Sequence, residues 1–405
     1  MIKFNAALEK IIDSVEPIES ESVRLTGALG RVLAEDIYSD TDIPGFDNSA
    51  MDGFAVRSSD TICASSDNAK VLEVIEDIKA GDIAKKTIDH NQAIRIMTGA
   101  TIPKGADSVI MVEYTKKIQN KPRESIEVYK ELAAGENIRK KAEDIKKGEL
   151  IISRGTLLNC GHIGILASLG RPKIQVVRRP KIAILATGDE LVGVGQRLAP
   201  GKVRSSNTYT LYSQIVKCGC IPKNLGIAKD IPSQLEKKIR RGFDCDIILT
   251  SGGVSVGEFD LVKDVLAKIG TKIKFWQVAM RPGKPLVFGN IGKILIFGLP
   301  GNPVSGMISF EVFVRPVLLK MTGQRQDRQI EIEAVLEEDI QKKKGMRYFL
   351  RARTRWQNGR YLSRLSGPQG SALLKPMSLA NSLVILGESQ VFFKKGSKVK
   401  VRFLD

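Results

Sequence analysis

Apolar side chains follow different patterns along this chain, and each pattern predicts a different kind of structure. Over the first fifteen residues they stand at helical spacing, at Phe4, Leu8, Ile11, Ile12 and Val15. This spacing predicts an amphipathic helix at the start of the chain.

Residues 180 to 320 repeat a unit of apolar strand, glycine-bearing loop and helix. The strands are predicted in PKIAILATGDEL, in DIILTSGGVSVGEFD and in KILIFGLPGNPVSGM. Near-continuous apolar strands that alternate with helices predict a parallel sheet covered on both faces. In such sheets ligands bind beyond the carboxyl ends of the strands, where all three loops fall. This segment is therefore the predicted catalytic domain.

The segments on either side have shorter apolar runs. Residues 42 to 146 contain strand-like runs separated by turn residues, and the chain after residue 324 contains MRYFLRARTRW and SQVFFKKGSKVKVRFLD. Both patterns predict β-rich domains. The predicted fold class is α/β multidomain, with a central, doubly wound and mostly parallel α/β domain and β-rich accessory domains.

Charge and composition narrow the function. Lys and Arg total 63 against 45 Asp and Glu, a formal net charge of +18, in a chain of 405 residues. This excess favours anionic partners. We expect no nucleic-acid partner, because the basic residues are mostly dispersed and no zinc-finger, RRM or basic-zipper signature is present.

Some classes of protein are excluded by what the sequence lacks. The only histidines are His90 and His162, which rules out a multi-histidine metal site. The five cysteines lack metal-ligand spacing and predict reduced thiols. The first residues do not resemble a signal peptide, and no apolar run approaches the ~18 residues of a membrane span. We therefore expect a cytoplasmic protein with no membrane partner.

A glycine-rich turn follows the second predicted strand. Ser251, Gly252 and Gly253 stand between that strand and a helical pattern, an arrangement that holds anions on backbone N–H groups. In the next residues, Ser255 and Glu258 have the spacing of a capping box. Asp260 lies off the apolar seam of the predicted helix, so its carboxylate either interacts favourably with the helix dipole or contacts a ligand.

Further acids follow the other strands. Asp189 and Glu190 come directly after the first strand, where acid pairs hold Mg²⁺ or bind a hydroxyl group, although Gly-Asp is also a common turn. Asp230 precedes a helical segment and is either a helix cap or a ligand. In the small domain, Asp52 stands in PGFDNSAMDGFAV, which is typical of a functional loop as well as of a turn.

Two basic segments are candidate oxyanion sites. Arg281 and Lys284 flank Pro282 in a loop with restricted backbone, which favours a preorganised clamp, although a solvated turn has the same composition. Strand alternation in residues 342 to 364 would place Arg351, Arg353 and Arg355 on one face. That face could bind RNA or an oxyanion, or remain solvated.

The order of nine motifs is more specific than any one of them. These motifs are FDNSAMDGFAV, RIMTGATIPKGADSVIMVE, NIRKKAEDIKKGE, ATGDEL, VRSSN, TSGGVSVGEFD, MRPGKPLVFG, GLPGNPVS and GPQGSALL. Together, over about residues 5 to 400, they resemble the MoeA family of molybdopterin molybdenumtransferases, which is related to the E domain of gephyrin.

This resemblance implies an elongated four-domain homodimer whose cleft combines the small domain of one subunit with the third and fourth domains of the other. The predicted domains are an α/β molybdopterin-binding catalytic domain (1–24 and 178–323), a linker and dimerisation domain (25–41 and 147–177), a small β-rich domain (42–146) and a C-terminal β domain (324–405). The implied upstream partner is a molybdopterin adenylyltransferase.

The resemblance also implies the reaction, in which adenylylated molybdopterin and molybdate give molybdenum cofactor and AMP with the help of Mg²⁺. The implied catalytic residues are Asp52, Thr98, Asp144, Glu190, Asp230 and Asp260, with Asp260 and Glu190 as metal ligands. The implied substrate-binding residues for the pterin and AMP phosphate are Ser206, Asn207, Ser251, Gly252, Gly253 and Ser255. The implied molybdate-binding residues are Arg281, Lys284, Arg351 and Ser371.

Two positions depart from the family pattern. Gln277 and Arg281 stand where the family often has lysine, so one cation is lost and one changes geometry. Arg281 can still bind an oxyanion bidentately, whereas Gln277 carries no charge and is left out of the predicted site.

The mechanistic hypothesis is charge stabilisation and positioning without a covalent protein intermediate. Two alternatives remain, a non-catalytic scaffold of the gephyrin E type and an RNA-binding protein that uses the 342 to 364 face.

Overall fold

A computed structural model of the chain describes residues 1–118, 124–253, 261–324 and 331–404. The chain forms two compact units. One contains Met1–Glu35, Arg154–Gly164 and Pro172–Asp405, and the other contains Asp36–Ser153 and Ile165–Arg171. Within the described ranges, no helix has both the length and the apolar content needed to cross a membrane.

The larger unit is built on a six-stranded central sheet. In spatial order its strands are Ile221–Ala228, Lys181–Thr187, Ile247–Ser251, Ile294–Leu299, Pro285–Ile291 and Lys272–Gln277. The first four strands pair in parallel, and the last two are added antiparallel. The sheet is therefore mixed and mostly parallel, as predicted, with an antiparallel edge. Only residues 292 and 293 separate Pro285–Ile291 from Ile294–Leu299, enough for a hairpin but too few for a crossover.

Both faces of the central sheet are buried, as the apolar runs predict. Ile182 and Ile184 belong to the core on one face, whereas Ala183 and Leu185 belong to the core on the other. Because successive side chains of a strand point to opposite faces, a strand buried on both faces must be apolar throughout.

Helices cover each face of the sheet. The helices of the larger unit are Phe4–Ile12, Ser206–Lys217, Pro232–Arg240, Leu261–Lys268, Pro303–Ser309, Arg315–Met321 and Leu374–Leu379, and a π-helical segment, Phe310–Val314, joins two of them. The predicted N-terminal helix is confirmed, with Phe4, Ala7 and Ile11 buried. Pro232–Arg240 and Leu261–Lys268 contribute to the opposite core. The helix Cys160–Ser168 links parts of both units.

A second sheet of the larger unit is formed by the C-terminal part of the chain. Its strands, in spatial order, are Met280–Arg281, Arg347–Gln357, Arg360–Leu365, Glu331–Leu336, Lys398–Phe403 and Ser382–Leu386. Ser382–Leu386 also pairs with Arg347–Gln357, which closes five strands into a barrel. Met280–Arg281 joins the same strand in parallel. Short pairs complete this unit: Ile340–Gln341 with Phe392–Phe393, Ser20–Arg24 with Lys173–Val177, and Leu191–Val192 with Val203–Arg204.

The smaller unit is β-rich. Its six-stranded sheet has the order Ser108–Met111, Gly53–Val56, Gln92–Ile96, Lys70–Ile78, Ser125–Val128 and Thr115–Ile118. The same unit contains two separate short pairs, Asn48–Ser49 with Ile138–Arg139 and Ile37–Tyr38 with Leu150–Ile152. The α/β multidomain class with β-rich accessory domains is thus confirmed, while the four domain boundaries stay a prediction.

Candidate active site

A cleft of about 620 Å³ opens at the carboxyl ends of the central strands. It lies entirely within the larger unit. The predicted site residues that line it are Glu190, Ser206, Asn207, Asp230, Ser251, Gly252 and Gly253. Parallel strands end together at this edge of the sheet, so loops that are distant in sequence converge there.

The glycine turn forms one wall of the cleft. Gly252 and Gly253 have φ angles of +100° and +66°, a region that only glycine adopts readily. A Cβ atom on Gly252 would lie 2.3 Å from the backbone oxygen of Thr187. The turn therefore depends on the missing side chain for its conformation and for its close approach to the neighbouring strand.

The side chain of Asn207 links the start of its helix to two other segments of the cleft. From the first turn of helix Ser206–Lys217, its Nδ2 donates hydrogen bonds to Oγ of Ser251 at 2.7 Å and to the backbone oxygen of Gly301 at 2.8 Å. Because Ser251 accepts from Asn207, the hydroxyl proton of Ser251 can be donated to another group. Ser251 is 2% exposed, so its hydroxyl has a fixed environment.

Two exposed carboxylates face this wall. The carboxylate of Glu190 lies close to Gly188. A Cβ atom on Gly188 would be 2.4 Å from Oε2 of Glu190. The backbone N–H of Asp230 donates to Oδ1 of Asp189 at 3.3 Å. Helix Pro232–Arg240 begins after Ile231 without a side-chain cap. The structure therefore argues against the helix-cap alternative for Asp230, and its ligand role stays a prediction.

These carboxylates would suit a magnesium ion bound through few protein ligands. In the described ranges, no three Asp, Glu, His or Cys side chains are grouped as a metal cage. Mg²⁺ is commonly bound by one or two carboxylates together with waters and substrate phosphates. Glu190 and Asp230 suit that mode of binding. Asp260, the other predicted metal ligand, lies outside the described residues, as do Ser255 and Glu258.

The predicted cations stand next to the cleft. Arg281 pairs with the C-terminal barrel through its backbone, and its guanidinium carbon lies 5.9 Å from the ring centre of Tyr348. The backbone oxygen of Lys284 accepts from Val278 at 2.9 Å. Among the described residues, the cleft lining includes the adjacent Pro285 but neither Arg281 nor Lys284. Their predicted contact with molybdate therefore stays a prediction.

Ser371 supports another margin of the cleft. Its Oγ accepts a hydrogen bond from Nδ2 of Asn302 at 3.1 Å, and its backbone oxygen accepts from Val304 at 3.1 Å. Asn302 and Ala372 line the cleft. The predicted residue Ser371 thus stands beside the cleft and holds the start of helix Pro303–Ser309.

Arg351 has a structural position instead of a place at the oxyanion. It is 1% exposed. Its guanidinium group donates to Oε1 of Gln369 and to the backbone oxygens of Pro368, Gly370 and Leu373. This corrects the predicted molybdate contact, because the nitrogens that would bind an anion are occupied by the loop that carries Ser371. The neighbouring Arg355 pairs with Glu337.

The smaller unit contains the remaining predicted site residues. Oδ1 of Asp52 accepts hydrogen bonds at 2.7 Å from both the backbone N–H and the hydroxyl of Thr98. Both hydrogen bonds lower the pKa of Asp52, and the bond from the backbone N–H has the larger effect. Asp52 therefore remains ionised to a lower pH than an ordinary aspartate. Asp144 is exposed, and its backbone N–H donates to the oxygen of Ile43.

The sequence prediction missed several residues of the cleft lining, and Thr187 and Asn302 are two polar examples. Asn302 belongs to the motif GLPGNPVS, but it was not among the predicted site residues. Thr187 could have been identified from the sequence, because it is the last residue of a parallel strand. Polar residues at that position face the ligand crevice of such sheets.

Family profiles cover most of the chain. Residues 2–170 match the MoeA N-terminal region (domain I and II), residues 183–320 match the probable molybdopterin binding domain, and residues 333–404 match the MoeA C-terminal region (domain IV). The cleft described above is lined largely by residues of the second match.

Full-length relatives agree with these matches. The chain is 36% identical to a molybdopterin molybdenumtransferase of Bacillus subtilis, across 99% of this chain and 93% of the relative. It is 35% identical to the protein of the same name from Haemophilus influenzae, across 99% and 98%. The crystal structure of a molybdopterin biosynthesis moeA protein from Pyrococcus horikoshii superposes with a TM-score of 0.83 at 32% identity, covering 100% of each chain. The chain therefore belongs to the molybdopterin molybdenumtransferase family.

Proposed function

We propose that this chain inserts molybdate into adenylylated molybdopterin, releasing AMP and forming molybdenum cofactor. The observation that carries the proposal is the cleft itself. Its glycine turn, the Ser251 hydroxyl held by Asn207 and the facing carboxylates lie within the segment that matches a probable molybdopterin binding domain. The relatives that match the full length of the chain are named as transferases, which supports an enzyme over a scaffold.

The net charge of the chain favours anionic substrates. Molybdate and the phosphoanhydride are both anions, and the chain carries a formal net charge of +18, which favours their approach. The Ser251 hydroxyl can donate to a phosphate oxygen. Arg281 and Lys284, at the margin, can attract the second anion.

Glu190 and Asp230 would hold the magnesium ion, which when bound would neutralise phosphate charge and polarise the phosphorus for cleavage. The protein groups bind and orient the anions. Neither histidine of the chain lines the described cleft, so its lining has no histidine base to activate a protein nucleophile. This supports charge stabilisation and positioning without a covalent protein intermediate.

The assay for this function measures AMP release and reconstitution of an apo-molybdoenzyme from adenylylated molybdopterin, micromolar molybdate and Mg²⁺. We expect Glu190→Gln to lower kcat/KM by about 100-fold, the scale of losing one electrostatic stabiliser, and EDTA to lower it similarly. Glu236→Gln is the matched control, since Glu236 pairs with Arg240 and Lys268 on a helix and does not line the cleft. Substrate binding without AMP release from the unaltered protein would reject the enzyme and favour the scaffold alternative.

We also propose a homodimer in which Asp52 of one chain serves the cleft of the other, with a molybdopterin adenylyltransferase supplying the substrate. Support comes from the family resemblance. Co-expression of Asp52→Ala and Glu190→Ala chains should restore about a quarter of wild-type activity, because half of the dimers are mixed and one of their two sites is intact. Each variant alone serves as the control. No restoration would show that one chain supplies both residues. The cytoplasmic location stays a prediction.

A further inference from the structure

One buried hydroxyl at the cleft has no hydrogen-bond partner in the described structure. Oγ1 of Thr187 is unpaired, although the residue is only 3% exposed. A buried hydroxyl without a partner destabilises the folded protein. Such a group needs a physical explanation, and a ligand oxygen is one candidate.

The hydroxyl lies beside the glycine turn for which anion binding is predicted. Thr187 lines the cleft, and Oγ1 lies 3.0 Å from where a Cβ atom would stand on Gly252 or on Gly253. The hydroxyl is therefore packed against the glycine turn. In the parallel register Ser251 stands opposite Ala186, so Thr187 and Ser251 bring two hydroxyl groups to the ends of adjacent strands.

A second buried hydroxyl without a partner lies outside the described cleft lining and serves as a comparison. Oγ1 of Thr250 also has no partner, and Thr250 is 0% exposed on the neighbouring strand. Thr250 does not line the cleft in the described part of the chain. The two threonines share the same buried, unpaired state, but of the two only Thr187 is a residue of the described cleft lining.

We propose that the Thr187 hydroxyl donates a hydrogen bond to a phosphate oxygen of the substrate seated on the Ser251–Gly252–Gly253 turn. This deepens the proposed function and rests on it. With the Ser251 hydroxyl, it gives the turn a pair of neutral donors for one oxyanion. Thr187 is then a substrate-binding residue, and its unpaired hydroxyl is satisfied when the substrate binds.

The test compares three variants by isothermal titration calorimetry with adenylylated molybdopterin. Thr187→Val removes the hydroxyl at nearly constant shape and is expected to raise Kd about 10- to 100-fold, the scale of a hydrogen bond to a charged group. Thr187→Ser keeps the hydroxyl and should stay within about threefold of wild type. Thr250→Val removes the matched buried hydroxyl and should leave Kd unchanged.

Thermal melting separates binding from folding. Because the removed hydroxyl is unpaired in the free protein, Thr187→Val should melt at the wild-type temperature or above it. If Thr187→Val does not fold, Thr187→Ala replaces it and is expected to show the same loss of affinity. A rise in Kd of equal size for Thr250→Val, or none for Thr187→Val, would overturn the inference.

Inorganic pyrophosphate identifies the contacted group. As a competitor it carries phosphate oxygens without the pterin ring, so Thr187→Val should weaken its inhibition by a factor similar to the loss of substrate affinity. Unchanged inhibition would move the contact to the ring and reject the phosphate assignment. Failure of the unaltered protein to bind adenylylated molybdopterin would instead reject the proposed function, so the two failures are distinguishable.

Discussion

Gly252→Ala is expected to lower the kcat/KM for AMP release at least about 100-fold, the scale of losing a preorganised electrostatic contact. The new Cβ atom would lie 2.3 Å from the backbone oxygen of Thr187, closer than any real contact. The φ angle of +100° adds about 1–2 kcal/mol of left-handed strain. Relief of both requires the turn to move away from the strand, which displaces the anion donors. The measurement is steady-state AMP release with molybdate and Mg²⁺.

Gly270→Ala is the matched control for this change. Gly270 has a similar φ angle of +90°, yet a Cβ atom there would have no neighbour within 4 Å. It therefore carries the backbone strain without the clash, and it lies just beyond helix Leu261–Lys268. We expect it to lose some thermal stability and to keep near-normal turnover. Equal losses of activity in the two variants would show that strain alone, and not the close approach at the turn, controls the site.

Arg351→Lys is expected to lower the free energy of unfolding by about 3 kcal/mol or more, because a buried side chain loses most of its hydrogen bonds. The guanidinium group of Arg351 reaches Pro368, Gln369, Gly370 and Leu373 at once. A lysine ammonium is a single point donor and cannot reproduce that fork. Burial also lowers the pKa of Arg351. Urea denaturation measures the loss.

The matched control is Arg353→Lys, two residues along the same strand. Arg353 is exposed and donates one hydrogen bond, to the backbone oxygen of Leu379. Its replacement should change the unfolding free energy by less than about 0.5 kcal/mol, as for most surface substitutions. Activity in Arg351→Lys should fall together with stability, through the loop that carries Ser371. Lost activity at unchanged stability would instead support a direct contact between Arg351 and the oxyanion.

The central domain was predictable because its signal is local. Apolar runs ending in glycine-bearing loops appear in the sequence at Thr187 and at Ser251, and the rule that ligands bind at the carboxyl ends of parallel strands gives the location of the cleft. The antiparallel strands Lys272–Gln277 and Pro285–Ile291 escaped prediction. An apolar strand has the same pattern whichever direction its neighbour runs.

The site was predictable where chemistry and position coincide in the chain. Glu190, Asp230 and the glycine turn follow their strands directly, and all line the cleft. Arg351 shows the opposite case. Strand alternation correctly placed Arg351 and Arg353 in one series, but alternation carries no information about which of them a distant loop covers.

The sequence by itself determined the family, the α/β class and the strand ends at which the cleft forms, since periodicity and motif order are properties of neighbouring residues. Only the tertiary structure decided what each polar group does there. Asn207 directs Ser251, Arg351 holds a loop, and Thr187 keeps an unpaired hydroxyl at the glycine turn. Hydrogen-bond partners and burial depend on contacts between segments far apart in the chain, which no local pattern encodes.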